Sequence, residues 1–88
     1  MTVTFRMKVN DVFQIGEKTI FAGELYTAAK VITNAECVLK VDGNQVGELD
    51  IQGEVHTGKP HRDLWTTSPI KLTRETLRDH DVWLISKT

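Results

Sequence analysis

The chain has 88 residues, 40% of them hydrophobic and 26% charged, and its 11 basic and 12 acidic residues leave a formal net charge of −1. This length and composition predict one folded domain over residues 1–88 and exclude a disordered chain. The charge balance excludes the strongly basic surface that binding along a nucleic-acid backbone requires. The single cysteine, Cys37, excludes an intramolecular disulfide. A disulfide-free domain with no leader and no apolar run long enough for a membrane is expected in the cytoplasm, without a membrane partner.

The N-terminal third has the pattern of two consecutive strands. Residues 3–9 alternate apolar and polar side chains, which is typical of a strand with one buried and one wet face. A bulge or bend is predicted at residues 10–11, after which residues 12–15 resume the strand. A tight turn at residues 16–18 leads into a second strand, which ends at Gly23, where a side chain would crowd or the backbone must bend.

The middle of the chain predicts a β-hairpin. Residues 24–34 are interpreted as a strand end followed by a connecting loop, with a short helical turn as the alternative. Residues 36–41 form a strand with Cys37 on its apolar face. The Asp-Gly-Asn sequence at 42–44 is the strongest turn signal in the chain, because Asp and Gly tolerate positive φ. Residues 46–51 return as the partner strand, with Gly47 as a candidate bulge.

The C-terminal part predicts short elements separated by polar segments. Residues 52–63 are interpreted as a surface loop, with a short strand at 54–56 as an option. A brief strand follows at residues 64–67. Residues 72–77 suit one helical turn, with Thr73 as its N-cap.

A final apolar strand at residues 82–85 completes the predicted elements. Several short strands with glycine-containing turns and at most one short helical turn indicate an all-β fold. The expected architecture is a small, closed or nearly closed antiparallel β-barrel, since closure removes exposed strand edges. The large side chains of Trp65 and Trp83 are expected to pack in or across this barrel.

Two segments carry a resemblance to a known family. The chain reads DVFQI from Asp11 and TIFAGEL from Thr19 on either side of a glycine turn, and IKLTRETLRDHDV over residues 70–82. In this order the segments resemble the opening and closing stretches of the second domain of translational GTPases, such as elongation factor Tu. The hairpin at residues 36–51 falls where that family has its middle strands, so the resemblance covers nearly the whole chain.

The resemblance implies a barrel fold and, for Asp11 and Phe13, a position near the pocket that holds the aminoacylated end of tRNA. Ala22 stands where the family usually has Thr, so the polar contact of that pocket is lost. In most of the wider family the Asp and Phe serve a turn and the core, which is the interpretation we favour. His80 replaces a usual Gly, and residues 53–64 do not match. These 88 residues contain no nucleotide-binding domain, so no GTP-driven activity is expected.

The unmatched loop supplies the other candidate binding residues. Lys59, His61 and Arg62 precede Trp65, and together they would make a small basic-aromatic patch if the tryptophan were exposed. A solvated loop explains the same residues and is the favoured alternative.

For each group of residues that could carry out chemistry, a purely structural explanation is at least as good. The segment from Gly53 to Lys59 has phosphate-loop spacing, but Pro60 replaces the hydroxyl residue and the following sequence predicts a strand. The histidines do not have zinc-ligand spacing, and Cys37 is expected to point inward. A turn of solvated charges explains residues 79–81 as well as acid–base chemistry does. The sequence therefore predicts no enzyme, no cofactor and no metal.

The resulting prediction is a non-enzymatic binding module with a protein partner. Two alternatives stay open. The first is a structural or accessory subunit that forms a homo-oligomer. The second is a domain that contacts RNA or tRNA, which the charge balance makes the weaker of the two.

Overall fold

The protein was analysed as a computed structural model, which describes residues 4–56 and 62–87. The described residues form seven strands and one short helix: β1 (Phe5–Ile15), β2 (Lys18–Thr27), β3 (Ala35–Val41), β4 (Asn44–Ile51), β5 (Gly53–His56), β6 (Arg62–Thr66), α1 (Arg74–Asp79) and β7 (Val82–Ser86). These elements confirm the predicted strands, including the optional one at residues 54–56, but with different bounds at two of them. The second strand continues past Gly23 to Thr27, and β6 begins at Arg62, inside the segment predicted as a loop. No helix of the described residues is long and apolar enough to cross a membrane.

The strands form one antiparallel sheet in the order β4-β3-β7-β1-β2-β6-β5. Its two end strands, β4 and β5, are consecutive in the chain and separated by Gln52 alone, so the sheet curls toward itself. The Gln52 N–H donates to the carbonyl of Trp65 at 3.0 Å, and the Thr66 hydroxyl donates to the carbonyl of Asp50 at 2.7 Å. Within the described ranges no strand ladder joins the two end strands, β4 and β5, so the predicted all-β antiparallel fold is confirmed but a closed barrel is not.

The core lies on the inner face of the curled sheet. It is built by alternate residues of the strands and by Ile32, which reaches in from the segment after β2. Cys37 is completely buried there, as its strand position predicts. The prediction that both tryptophans pack in or across the barrel is wrong. Trp65 and Trp83 alternate with buried residues along β6 and β7, so they lie half-buried on the outer face.

A bulge in β1 explains the need for glycine at position 23. The pairing of β1 with β2 shifts register between Val9 and Asp11, as the sequence predicts, and Gly23 lies opposite Val9. A Cβ added to Gly23 would lie 1.9 Å from the Lys8 carbonyl oxygen. Only glycine permits this close approach of the two backbones.

The hairpin of β3 and β4 turns where the sequence predicts. Asp42 has φ 52° and Gly43 has φ 84°, the left-handed pair of a two-residue hairpin turn. Leu39 pairs with Gly47 and Lys40 with Gln45, so the bulged residue is Val46, one position before the predicted Gly47.

The helix α1 is the single helical turn that the sequence predicts. Thr73 is its N-cap, and its hydroxyl accepts from the Thr76 N–H at 3.3 Å. Glu75 in the first turn and Arg78 in the last turn complement the helix dipole. The helix packs beside β1, where Arg74 reaches Asp11.

Candidate functional site

The predicted basic-aromatic patch is divided by the fold. Arg62 and Trp65 both lie on β6, but strand alternation places them on opposite faces, because Arg62 is in phase with the buried Leu64 and Thr66. Lys59 and His61 lie outside the described residues. The two described members of the patch therefore do not form one surface.

Arg62 is engaged inside the molecule. Its Nε lies 2.7 Å from Glu54 Oε1, its Nη2 lies 3.2 Å from Glu54 Oε2, and the same Nη2 donates to the Lys30 carbonyl at 2.9 Å. The Glu54 side chain is 1% exposed, and its Oε2 also accepts from the Ile32 N–H at 2.8 Å. The hydrogen bond with Glu54 raises the pKa of the Arg62 guanidinium. This bidentate pair holds residues 30–32 against the β5–β6 hairpin.

Trp65 belongs to an outer cross-strand row. Phe13 pairs with Ile20 on β2, and Ile20 pairs with Trp65 on β6. Ile20 is only 3% exposed although it lies outside the core cluster. Its neighbours in this row, Phe13 and Trp65, lie on either side of it, so the row forms a small apolar cluster of its own. The Lys18 ammonium lies 4.4 Å from the centre of the Trp65 ring, which is cation–π range. Phe13 therefore packs in this row and not in the core, which corrects our interpretation of it.

The described contacts of Asp11 are local to the β1 bulge and to α1. Its Oδ1 accepts from the Val12 N–H at 2.9 Å and from Arg74 Nε at 2.9 Å. The side chains of Arg74 and Asp11 are 63% and 47% exposed, so solvent screens the ion pair. Asp11 shapes the bulge and links it to α1. No described contact tests its proposed place near a tRNA pocket.

A different surface, on the outer face of β2, β1, β7 and β3, has the composition of a binding site. Across it, Tyr26 pairs with Arg6 and Arg6 with Ile85, while Lys8 pairs with Trp83 and Trp83 with Lys40. We call this surface the aromatic face and define it as Arg6, Lys8, Tyr26, Val38, Lys40, Trp83 and Ile85.

The centre of the aromatic face is a stacked cluster. The rings of Tyr26 and Trp83 have centroids 6.2 Å apart and planes inclined by 29°. The Arg6 guanidinium carbon lies 5.3 Å from the Tyr26 ring centre and 5.5 Å from that of Trp83. Both distances fall in the cation–π range. The three side chains hold one another in place, although Tyr26 is 46% exposed.

Carboxylates fix the polar ends of the two rings. The Tyr26 hydroxyl donates to Glu24 at 2.5 Å, and the Trp83 indole N–H donates to Asp81 at 3.1 Å. The hydrogen bond to Glu24 raises the pKa of the Tyr26 hydroxyl. The rings are therefore oriented before any partner arrives, which lowers the entropy cost of using them in binding.

An open, mainly apolar groove adjoins this cluster. Its volume is about 570 Å³, and its lining includes Arg6, Tyr26, Thr27, Ala28 and Ile85. The groove follows the end of β2 and extends the apolar surface beside the rings. The size suits the side chains of a docked segment.

Sequence reasoning missed the aromatic face because its parts are far apart in the chain. Arg6 and Lys8 appear only as the polar positions of an alternating strand, and Trp83 as part of a terminal strand. The insertion of β7 between β1 and β3 brings them together. The sequence did contain one signal. Tyr26 and Trp83 occupy strand positions that alternate with the inward-facing apolar positions.

The residues weighed for catalysis have structural partners. His80 Nδ1 lies 2.5 Å from Asp42 Oδ2, and the Asp81 N–H donates to Asp42 Oδ1 at 2.8 Å. The backbone hydrogen bond from Asp81, and then that from His80, lower the pKa of Asp42. These contacts tie the end of α1 to the β3–β4 turn. In the described ranges, no three metal-ligating side chains form a cluster.

The segment with phosphate-loop spacing starts as a strand. Residues Gly53–His56 form β5, which pairs with β6, whereas a phosphate loop must leave its strand before the first glycine and enter a helix. The remainder of the segment, including Lys59, lies outside the described residues.

Cys37 is expected to be chemically inert in the folded protein. Burial raises the pKa of its thiol to about 12, so very little thiolate exists near neutral pH. We expect alkylation by iodoacetamide at about pH 8 to be slower by a hundredfold or more in the folded chain than in guanidinium, with mass spectrometry as the readout. Comparable rates in the two states would show that the β3–β7 region opens readily.

No family model, curated protein or solved structure matches this chain. The fold and the aromatic face together define an antiparallel all-β domain with a preoriented aromatic and basic outer surface. The function must therefore be argued from this surface.

Proposed function

We propose that this protein is a non-enzymatic binding module that docks onto a protein partner through the aromatic face. One observation carries the proposal: Arg6, Tyr26 and Trp83 form one cluster on an accessible sheet face. Trp, Tyr and Arg are the residue types that dominate binding energy at protein interfaces. Their ring orientations are held by carboxylates, and an apolar groove lies beside them.

We further propose that the curled sheet is a nearly closed barrel related to the second domain of translational GTPases. The order and spacing of the segments at residues 11–25 and 70–82 support this relationship. The adjacency of β4 and β5 along the chain supports near closure. A cytoplasmic location is part of the proposal, since a small domain with one buried free thiol suits a reducing compartment.

A protein partner suits the face better than a nucleic acid does. Glu24 and Asp81 contact the polar atoms of Tyr26 and Trp83 and would repel phosphates close to the rings. The whole chain carries a formal charge of −1 and supplies little long-range attraction for a polyanion. RNA binding is therefore the second candidate.

The test is a quantitative capture from the source cells with the wild-type chain and with Tyr26→Ala and Arg6→Ala. The control is Ile15→Ala, because Ile15 is 59% exposed and lies at the β1–β2 turn, away from the cluster. A captured protein is then purified and its affinity is measured by calorimetry. We expect each face variant to weaken binding by about tenfold or more and the control to bind as the wild type does.

Circular dichroism establishes that each variant is folded before binding is compared. Equal affinity of the wild type and both face variants for every captured protein would contradict the proposal. Capture of RNA alone would favour the second candidate, and a concentration-dependent dimer that Tyr26→Ala disrupts would favour the homo-oligomer.

A further inference from the structure

The aromatic face carries two cations without an internal partner. Lys8 on β1 and Lys40 on β3 both pair in register with Trp83 on β7, one on each side. Neither lysine forms an ion pair with a described residue. A tryptophan between two such lysines combines apolar contact area with positive charge.

Three other basic side chains of the described chain, those of Arg62, Arg74 and Lys87, are matched by carboxylates. Lys87 lies 3.1 Å from Glu48, and Arg74 lies 2.9 Å from Asp11. Lys8 and Lys40 differ from the remaining unpaired ones because they lie on the two sides of Trp83. Lysines without a carboxylate partner beside the half-buried ring of Trp83 are available to an incoming group of opposite charge.

The spacing on this face suits an extended chain. Lys8 and Lys40 are separated by two strand spacings, or roughly 10 Å of sheet. In an extended peptide with the polyproline II conformation, residues three positions apart lie on the same side of the chain, about 9 Å apart. Val38 and Ile85 pair in register in the neighbouring row and supply an apolar floor beside Trp83. Two carboxylates at that separation could reach both lysines while an apolar side chain between them lies on the floor.

We propose that the aromatic face binds an acidic, extended protein segment, with carboxylates on Lys8 and Lys40 and an apolar side chain against Trp83 and Ile85. This inference rests on the proposed function and specifies the chemistry of its partner. Glu24 lies in register with Lys8, but its carboxylate accepts from the Tyr26 hydroxyl, and that of Asp81 accepts from the Trp83 indole. The unpaired groups beside Trp83 are therefore cations, and charge complementarity selects the acidic segment. The carboxylates of Glu24 and Asp81 lie at the ring ends and reject a continuous phosphate backbone.

The probe is a synthetic peptide of about ten residues with two glutamates three positions apart, separated and flanked by leucine and serine. Binding is followed by NMR through the Trp83 indole N–H and the backbone amides of Lys8 and Lys40. The matched probe has glutamine in place of both glutamates, and a third probe is a ten-nucleotide oligouridylate. We expect the acidic peptide to shift these signals and to bind about tenfold or more tightly than the glutamine peptide at low salt.

The protein variant for this test is Lys8→Gln combined with Lys40→Gln. Its control combines Lys30→Gln with Lys71→Gln, two exposed lysines outside the aromatic face. We expect the first double variant to bind the acidic peptide about tenfold more weakly and the control to bind within about twofold of the wild type. Raising the salt concentration should weaken the wild-type complex.

Three results would contradict the proposed binding of an acidic segment. Equal binding of the acidic and glutamine peptides, tighter binding of oligouridylate, or no binding of the acidic peptide at about millimolar concentration would overturn it. If a captured partner is nevertheless bound more weakly by the Tyr26→Ala and Arg6→Ala variants, the proposed function stands and only the acidic character of the partner is excluded. Loss of that dependence would overturn the proposed function itself.

Discussion

Replacement of Gly23 by alanine is expected to remove a large part of the stability of this domain. The added Cβ would lie 1.9 Å from the Lys8 carbonyl oxygen, 2.9 Å from the Lys8 carbonyl carbon and 3.0 Å from the Asn10 nitrogen. These are backbone atoms in and just before the β1 bulge, so no side-chain rotation relieves the clash. Overpacking of this kind costs about 3 kcal/mol or more, against a total of roughly 5–15 kcal/mol for a folded domain.

Guanidinium unfolding followed by tryptophan fluorescence measures the free energy of unfolding, and Gly47→Ala is the matched control. A Cβ on Gly47 would meet no atom within 4 Å, and its backbone does not have positive φ. We expect Gly47→Ala to be neutral or to stabilise the fold by about 0.5 kcal/mol, because alanine reduces the entropy of the unfolded chain. Equal unfolding midpoints for the two variants would show that β1 and β2 do not approach as described.

Replacement of Glu54 by alanine is expected to cost about 3 kcal/mol of unfolding free energy. The change removes both carboxylate oxygens that accept from the Arg62 guanidinium, and with them the acceptor of the Ile32 N–H. Arg62 is then left 28% exposed with only the Lys30 carbonyl as a described acceptor. Because Ile32 is completely buried, loss of its anchor also loosens the segment that closes this part of the core.

The matched control is Glu48→Ala, which breaks the exposed ion pair with Lys87. We expect it to change the unfolding free energy by about 0.5 kcal/mol or less, since solvent screens such a pair. Arg62→Ala and the double variant with Glu54→Ala complete a mutant cycle. A coupling energy near zero would contradict the assignment of Arg62 to an internal pair and would return it to the candidate surface residues.

The pair of Arg62 with Glu54 bears directly on where binding occurs. Arg62 was a candidate for a basic-aromatic patch, and its guanidinium is instead used to hold residues 30–32. A change at Arg62 that weakens a partner would therefore act through the fold. Variants at Arg6 and Tyr26, whose side chains are on the outer face, separate the two effects.

Local chemistry in the sequence determined the strands, turns and cap. Alternation predicted β1 with its bulge, the Asp42–Gly43 pair predicted the hairpin turn, and Thr73 predicted the start of α1. Each of these depends on residues only a few positions apart, whose conformations are set by sterics and nearby hydrogen bonds. The crowding at Gly23 was also predicted from the sequence, although β2 continues past it to Thr27 rather than ending there.

Tertiary structure alone decided which side chains share a surface. Whether Trp65 packs inside or outside depends on strand register, because each one-residue shift reverses the faces of a strand. Tyr26 and Trp83 stack because β7 inserts between β1 and β3, a pairing fixed by burial of residues distant in the chain. Local periodicity contains no information about that order. The strands of this protein could therefore be derived from its sequence, whereas its candidate binding face could be found only after they were assembled.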